Sequence, residues 1–127
     1  MVQKEETYQA DVQGVAAPKR REIVSDLQSA IIAATLAGDT QVVAAVAGRQ
    51  IRLVGYDFSS DAAVSIRFRD DALVPNNLTG AFPTPVDGGR NFTAWPGYVG
   101  ETSVGQALLI NLSVNAVVGG VVIYEEI

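Results

Sequence analysis

Two stretches of this chain alternate between large apolar and mostly polar side chains, and that period of two restricts the fold more than any other feature. In residues 63–69, Val64, Ile66 and Phe68 fall on one side, and Ala63, Ser65, Arg67 and Arg69 on the other. In residues 106–114, Leu108, Ile110, Leu112 and Val114 share a side opposite Leu109, Asn111 and Ser113. Successive side chains of a strand point to opposite faces. Each run therefore predicts a strand with one face in a core and the other toward solvent or a partner.

Other β-rich runs follow at similar spacing. Residues 30–35 lead to a turn at Gly38-Asp39-Thr40, 41–46 to Gly48, and 50–58 to Ser59-Ser60-Asp61. The run 63–69 ends at Asp70-Asp71, 106–114 ends at Asn115, and 117–125 closes the chain. Residues 72–105 are irregular and hold Pro75, Pro83, Pro85 and Pro96; weaker strands are predicted at 78–82 and 91–94. Asp87-Gly88-Gly89 reads as the tight turn between them, with glycine supplying a positive φ. About eight short strands separated by turn residues predict an all-β, antiparallel β-sandwich of the jelly-roll type.

The last run is apolar on both sides. Val122 and Tyr124 face one way, Val121 and Ile123 the other, after the pair Gly119-Gly120. A strand apolar on both faces is usually covered on both. One cover is the sandwich interior, and a second subunit is the expected other. The glycine pair is read as a bulge or a close strand approach.

The first 27 residues differ. They carry 9 of the 23 charged side chains, including Lys4 and Lys19, the last lysine of the chain. Few large apolar residues occur there, and Pro18 interrupts the segment. This predicts an N-terminal arm over 1–27, extended or partly helical, joined to a sandwich domain over 28–127. A short helix over 19–28 would place Ile23 and Leu27 on one face. The N-terminus has no apolar stretch of the signal-peptide kind, and no apolar run approaches the roughly 20 residues of a membrane span.

Composition narrows the function. There is no cysteine and no histidine among the 127 residues, so disulfides, thiol nucleophiles and imidazole acid–base chemistry are excluded. The formal net charge of −5 makes nucleic acid a poor partner. For carboxylate catalysis, the acids Asp57, Asp61, Asp70, Asp71, Asp87, Glu101, Glu125 and Glu126 are available. Nearly all sit in or beside predicted turns, where Asp commonly bonds nearby backbone. No EF-hand loop or phosphate-binding glycine motif occurs. The expectation is a non-enzymatic protein with no catalytic residues, no metal and no cofactor.

Two groups of residues suit binding. Every basic residue of the body is arginine, and Arg67 and Arg69 lie two apart on one strand face. Arginine forms planar paired contacts well suited to subunit interfaces, so Arg67 and Arg69, with Val121 and Ile123, are the candidate interface residues. The irregular region gathers Arg90, Asn91, Trp95 and Tyr98, a candidate ligand-binding loop of aromatic rings and polar groups.

The run Val42-Val43-Ala44-Ala45-Val46-Ala47-Gly48-Arg49-Gln50-Ile51-Arg52-Leu53 resembles a segment of small tailed-phage virion proteins. So does the stretch from Gly100-Glu101-Thr102-Ser103-Val104-Gly105 to Gln106-Ala107-Leu108-Leu109-Ile110-Asn111-Leu112-Ser113, and the ending Gly119-Gly120-Val121-Val122-Ile123-Tyr124-Glu125 is similar to their last strand. The resemblance spans about residues 29–127, and the arm does not share it. It implies a jelly-roll module of capsid decoration (cement) proteins, head fibres or tail fibres, commonly trimeric. The expected function is a cement protein that binds the outer capsid surface as a homotrimer and stabilises the head. Its expected partner is the major capsid protein, with no nucleic acid and no membrane. Its expected place is the virion, after synthesis in the host cytoplasm. Lys19, Arg20 and Arg21 would be the arm's capsid contacts. The alternative is a receptor- or glycan-binding module of a fibre.

Overall fold

The computed structural model describes residues 27–127. Nine strands occur among them: β1 Gln28–Ala34, β2 Gly38–Val43, β3 Ile51–Ser60, β4 Val64–Asp70, β5 Phe82–Thr84, β6 Gly89–Thr93, β7 Gly100–Glu101, β8 Leu108–Leu112 and β9 Val118–Glu126. The described residues contain no helix. Residues 1–26 of the predicted arm, most of its helix and its capsid contacts Lys19, Arg20 and Arg21 lie outside the described residues. Gln28, the last residue of that predicted helix, opens β1.

The strands form two antiparallel sheets. One runs β1-β9-β3-β6, with the two-residue β7 also paired to β3; the other runs β2-β8-β4-β5. The partners are nested: β4 pairs β5, β3 pairs β6, β2 pairs β8 and β1 pairs β9. One long antiparallel hairpin, rolled so that its halves fall into two sheets, gives this order, which is the jelly-roll connection. Seven of the eight expected strands overlap observed ones, the strand expected at 78–82 falls instead at Phe82–Thr84 as β5, and β7 is an addition.

The alternating runs behave as their pattern requires. Val64, Ile66 and Phe68 of β4 are buried against Leu108, Ile110 and Leu112 of β8, and from the other sheet come Ile32, Leu53, Tyr56, Phe58, Val118 and Val122. Tyr56 and Phe58 stand with their ring centres 5.5 and 6.1 Å from that of Phe68, closing the space between the layers. Tilted aromatic pairs at this separation add about 0.5–1.5 kcal/mol beyond area burial.

Four local expectations change. Gly38, Asp39 and Thr40 are not a turn but the start of β2, and the bend falls at Leu36-Ala37. Val114 does not share the core face, because β8 ends at Leu112 and Val114 lies exposed in the following bend. Leu109 faces outward in the row between Arg69 and Gln41 yet is buried. Stems of long polar neighbours cover such positions. In the β5–β6 turn it is Asp87 that takes the positive φ, of 57°. Gly89 is needed for another reason: a Cβ there would collide with the Phe58 carbonyl oxygen.

Gly120 is the close approach expected of the second glycine pair. Its φ is 153°, and a Cβ would run into the backbone carbonyl of Asp57 on β3. The register shift of β9 comes later, between Ile123 and Tyr124, where Val54 is the extra residue of β3.

Candidate interaction surfaces

Register places the outward side chains of the first sheet in rows. Ile31, Val121, Asp57 and Asn91 form one, and Ser29, Ile123, Gly55 and Thr93 the next. Apart from Ser29, the β1–β9 half of these rows is apolar, while the β3–β6 half is mostly polar. Ile31 is 79% exposed. Val121 and Ile123, the candidate interface residues of the last strand, lie beside it and are half-buried. Asp57 stands exposed in mid-strand rather than at a turn.

Beside this face runs the edge of β1 that pairs with no strand among the described residues, and its sequence Gln-Ser-Ala-Ile-Ile-Ala-Ala carries no charge and no proline. The other three sheet edges are guarded. β5 is three residues with Pro83 at its centre, β6 is short and carries Arg90, and β2 carries Asp39 and a register shift between Gln41 and Val43. Charges, prolines and bulges on an edge discourage further strands from pairing, and β1 has none of them.

The outer face of the second sheet is closed by its own contacts. Arg69 on β4 donates from Nε and Nη2 to the two carboxylate oxygens of Asp39 on β2, each at 2.9 Å. Asn111, on β8 between them, donates Nδ2 to Asp39 at 2.9 Å. The Arg69 guanidinium, helped by Asn111, holds the Asp39 carboxyl below its ordinary range against the opposing effect of partial burial. One candidate interface arginine therefore has its acid within its own chain. Arg67 shares the face and makes no ion pair among the described residues.

The four residues of the candidate ligand loop do not share a face. Arg90 and Asn91 are adjacent on β6 and so point oppositely. Arg90 lies over the Phe82 ring, 4.8 Å from its centre, beside the open edge of the core. There burial pushes the Tyr56 phenol up, opposed by the Arg90 charge. Asn91 faces out in the row with Asp57. Trp95 and Tyr98 belong to a loop pinned to β3 by the Ala94 and Val99 amides, which donate to the Val54 and Leu53 carbonyls. The Tyr98 ring is covered by Arg52 at 4.4 Å. That arginine also donates to Glu101 at 3.0 Å and stands 4.0 Å from Glu125.

The end of the sandwich where β4 finishes contains a feature the sequence pattern concealed. Asp70 is 0% exposed, and its carboxylate accepts backbone N–H bonds from Ala72, Asn76 and Ser103 at 3.1, 2.9 and 2.9 Å. Burial pushes this carboxyl up, but the amides of Asn76, Ser103 and Ala72 outweigh it and leave the pKa below its ordinary value. Asp71 accepts from the Ala107 amide at 2.8 Å, and Asn76 Nδ2 donates to Ser103 Oγ at 2.8 Å. The Gly105 amide in turn donates to the Arg49 carbonyl. Three loops, over 44–50, 71–76 and 102–107, are thereby tied together.

The turn acids thus bond backbone, as expected, but much of that backbone is remote. Asp61 likewise accepts from the Val117 amide, 56 positions away, at 2.8 Å. Among the described residues no group of three or more acidic side chains could hold a metal ion. Sequence reasoning missed Ile31, and it read Asp70 only as a turn acid. The Ile31-Ile32 pair was the available signal for an outward apolar residue, and nothing local distinguishes Asp70 from its neighbour. Compared with protein-family models, curated proteins and solved structures, the chain matches none.

Proposed function

We propose that this protein is a non-enzymatic virion structural module, a capsid cement protein that binds the outer capsid surface as a homotrimer and stabilises the head. The observation that carries the assembly part is the apolar strip of exposed Ile31 and half-buried Val121 and Ile123, beside a β1 edge that no described strand covers. Such a strip is a burial site for another polypeptide, and a second copy is always present at matching concentration. Closed cyclic assembly lets each copy cover its strip without growing a filament. The number three and the capsid partner come from the resemblance of residues 29–127 to phage virion proteins. The absence of cysteine and histidine from the sequence supports a structural role over catalysis.

Light scattering on a sizing column tests the assembly. A trimer of this 13.4 kDa chain elutes with a mass of about 40 kDa. A species at the chain mass, unchanged by concentration, removes the trimer. Deleting residues 1–27 tests the arm: the body stays folded and capsid binding is lost. Undiminished binding removes the arm, with Lys19, Arg20 and Arg21, from the contact.

A further inference from the structure

We infer that the loop end of the sandwich carrying Leu73 and Val74 is the face this protein lays against the shell. This rests on the virion reading above and adds to it a surface on the body itself, separate from the arm and from the β1–β9 strip.

Leu73 is 102% exposed and Val74 83%, with Val104 and Val46 also exposed on the two loops tied to theirs. Exposed apolar side chains on a mobile loop would mean little. Here the loop is held from beneath by the fully buried Asp70 carboxylate, with three backbone N–H bonds, and from the side by Asp71. Pro75 follows Val74 and fixes its own φ. Two large apolar side chains are therefore presented in a set position, exposed among the described residues. Pre-organised apolar anchors lose little entropy on docking, which is how a small contact comes to carry binding energy.

The opposite end also exposes apolar side chains, Leu36 and Val86 among them. What separates the two ends is where the remaining chain joins. Gln28 begins β1 opposite Tyr124, near the finish of β9 and the start of β3. The start of β3 is joined to the Leu73 end through the Arg49–Gly105 bond. Residues 1–26, with the basic triplet, thus leave the body at the end that presents Leu73 and Val74. A body tethered there apposes that end to whatever surface the arm holds. The contact surface on the partner is accordingly apolar and accepts a two-residue knob. Its value is multiplied by the copies engaged at once.

The test uses the full-length chain and heads of the encoding phage stripped of this protein, with co-sedimentation as readout. Leu73→Asp and Val74→Asp, at positions too exposed to disturb the core, are expected to weaken binding at least tenfold without changing solution mass. Leu36→Asp and Val86→Asp, at the far end, are expected to bind as the wild type does. Wild-type binding that survives Leu73→Asp and Val74→Asp together overturns the inference and leaves the virion reading standing. Loss in Leu36→Asp or Val86→Asp instead assigns the shell to the other end and overturns it equally. Wild-type protein that fails to bind the heads overturns the virion reading and this inference with it.

Discussion

The outer faces of the two sheets are built from similar strands and end in opposite states. On the β2-β8-β4-β5 face, Arg69, Asp39 and Asn111 satisfy one another across three strands. On the β1-β9-β3-β6 face, the β1–β9 half offers Ile31, Val121 and Ile123, and among the described residues no strand pairs the β1 edge alongside. A charged pair already made within the chain gains little from a partner, since each ion must give up water for one already bonded; on this face only Arg67 is left without an ion pair among the described residues. An apolar strip has only water to lose. The comparison separates a face with polar pairs made within the chain from one that leaves apolar side chains toward solvent.

The largest expected effect falls on what the two faces share. Phe68→Ala removes a fully buried ring between the layers, and is expected to cost about 3–5 kcal/mol of unfolding free energy in urea titration. Signals from both sheets should vanish in one transition. Separate transitions would mean that the sheets do not depend on one core.

Next is Asp70→Ala, which strands three N–H groups at the loop end, for about 2–4 kcal/mol. Amide hydrogen exchange should quicken at Asn76 and Ser103 more than at the strands. A pH titration sharpens the same point. The carboxyls of Asp70 and Asp39 lie below their ordinary 3.8 in the folded protein, so the unfolded chain binds protons first as acid is added. Stability is full above about pH 5 and falls through pH 4 toward the folded-state values. In the Asp70→Ala variant that acid-induced loss should shrink, and an unchanged profile would clear Asp70 of the role.

Arg69→Ala is expected to cost only about 0.5–1 kcal/mol, because both partners remain partly in water. Ile31→Lys should change the stability of the isolated body least, by roughly 0.5 kcal/mol or less, since surface substitutions rarely do more. It should nevertheless abolish self-association, since an edge lysine is a common guard against strand pairing. An oligomer that withstands Ile31→Lys but falls apart in Arg69→Ala would reverse the assignment of the two faces.

Much of the body was legible because alternation is local. The inward set of β4 and three of the four inward positions expected in β8 follow from neighbours two apart, and the eight-strand count gave the sandwich. The fourth, Val114, failed because the pattern outlasts the strand, and hydropathy does not mark where pairing stops. Asp39 was read as a turn acid for a similar reason: Gly-Asp-Thr has turn composition, and only the strand across the sheet supplies Arg69.

The sequence by itself determined that this body is a sandwich of short antiparallel strands, lacks thiol and imidazole chemistry, and has a last strand apolar on both sides. Each of these depends on composition or on residues a few positions apart. Only the tertiary structure decided which of β1, β2, β5 and β6 leaves an unguarded edge. It also decided that Arg69 closes on Asp39, 30 positions away, and that Asp70 reaches Ser103, 33 positions away. The physical reason is chain folding over distance. A carboxylate's role is set by the N–H groups and cations brought to it, and those come from segments that meet only when the hairpin rolls.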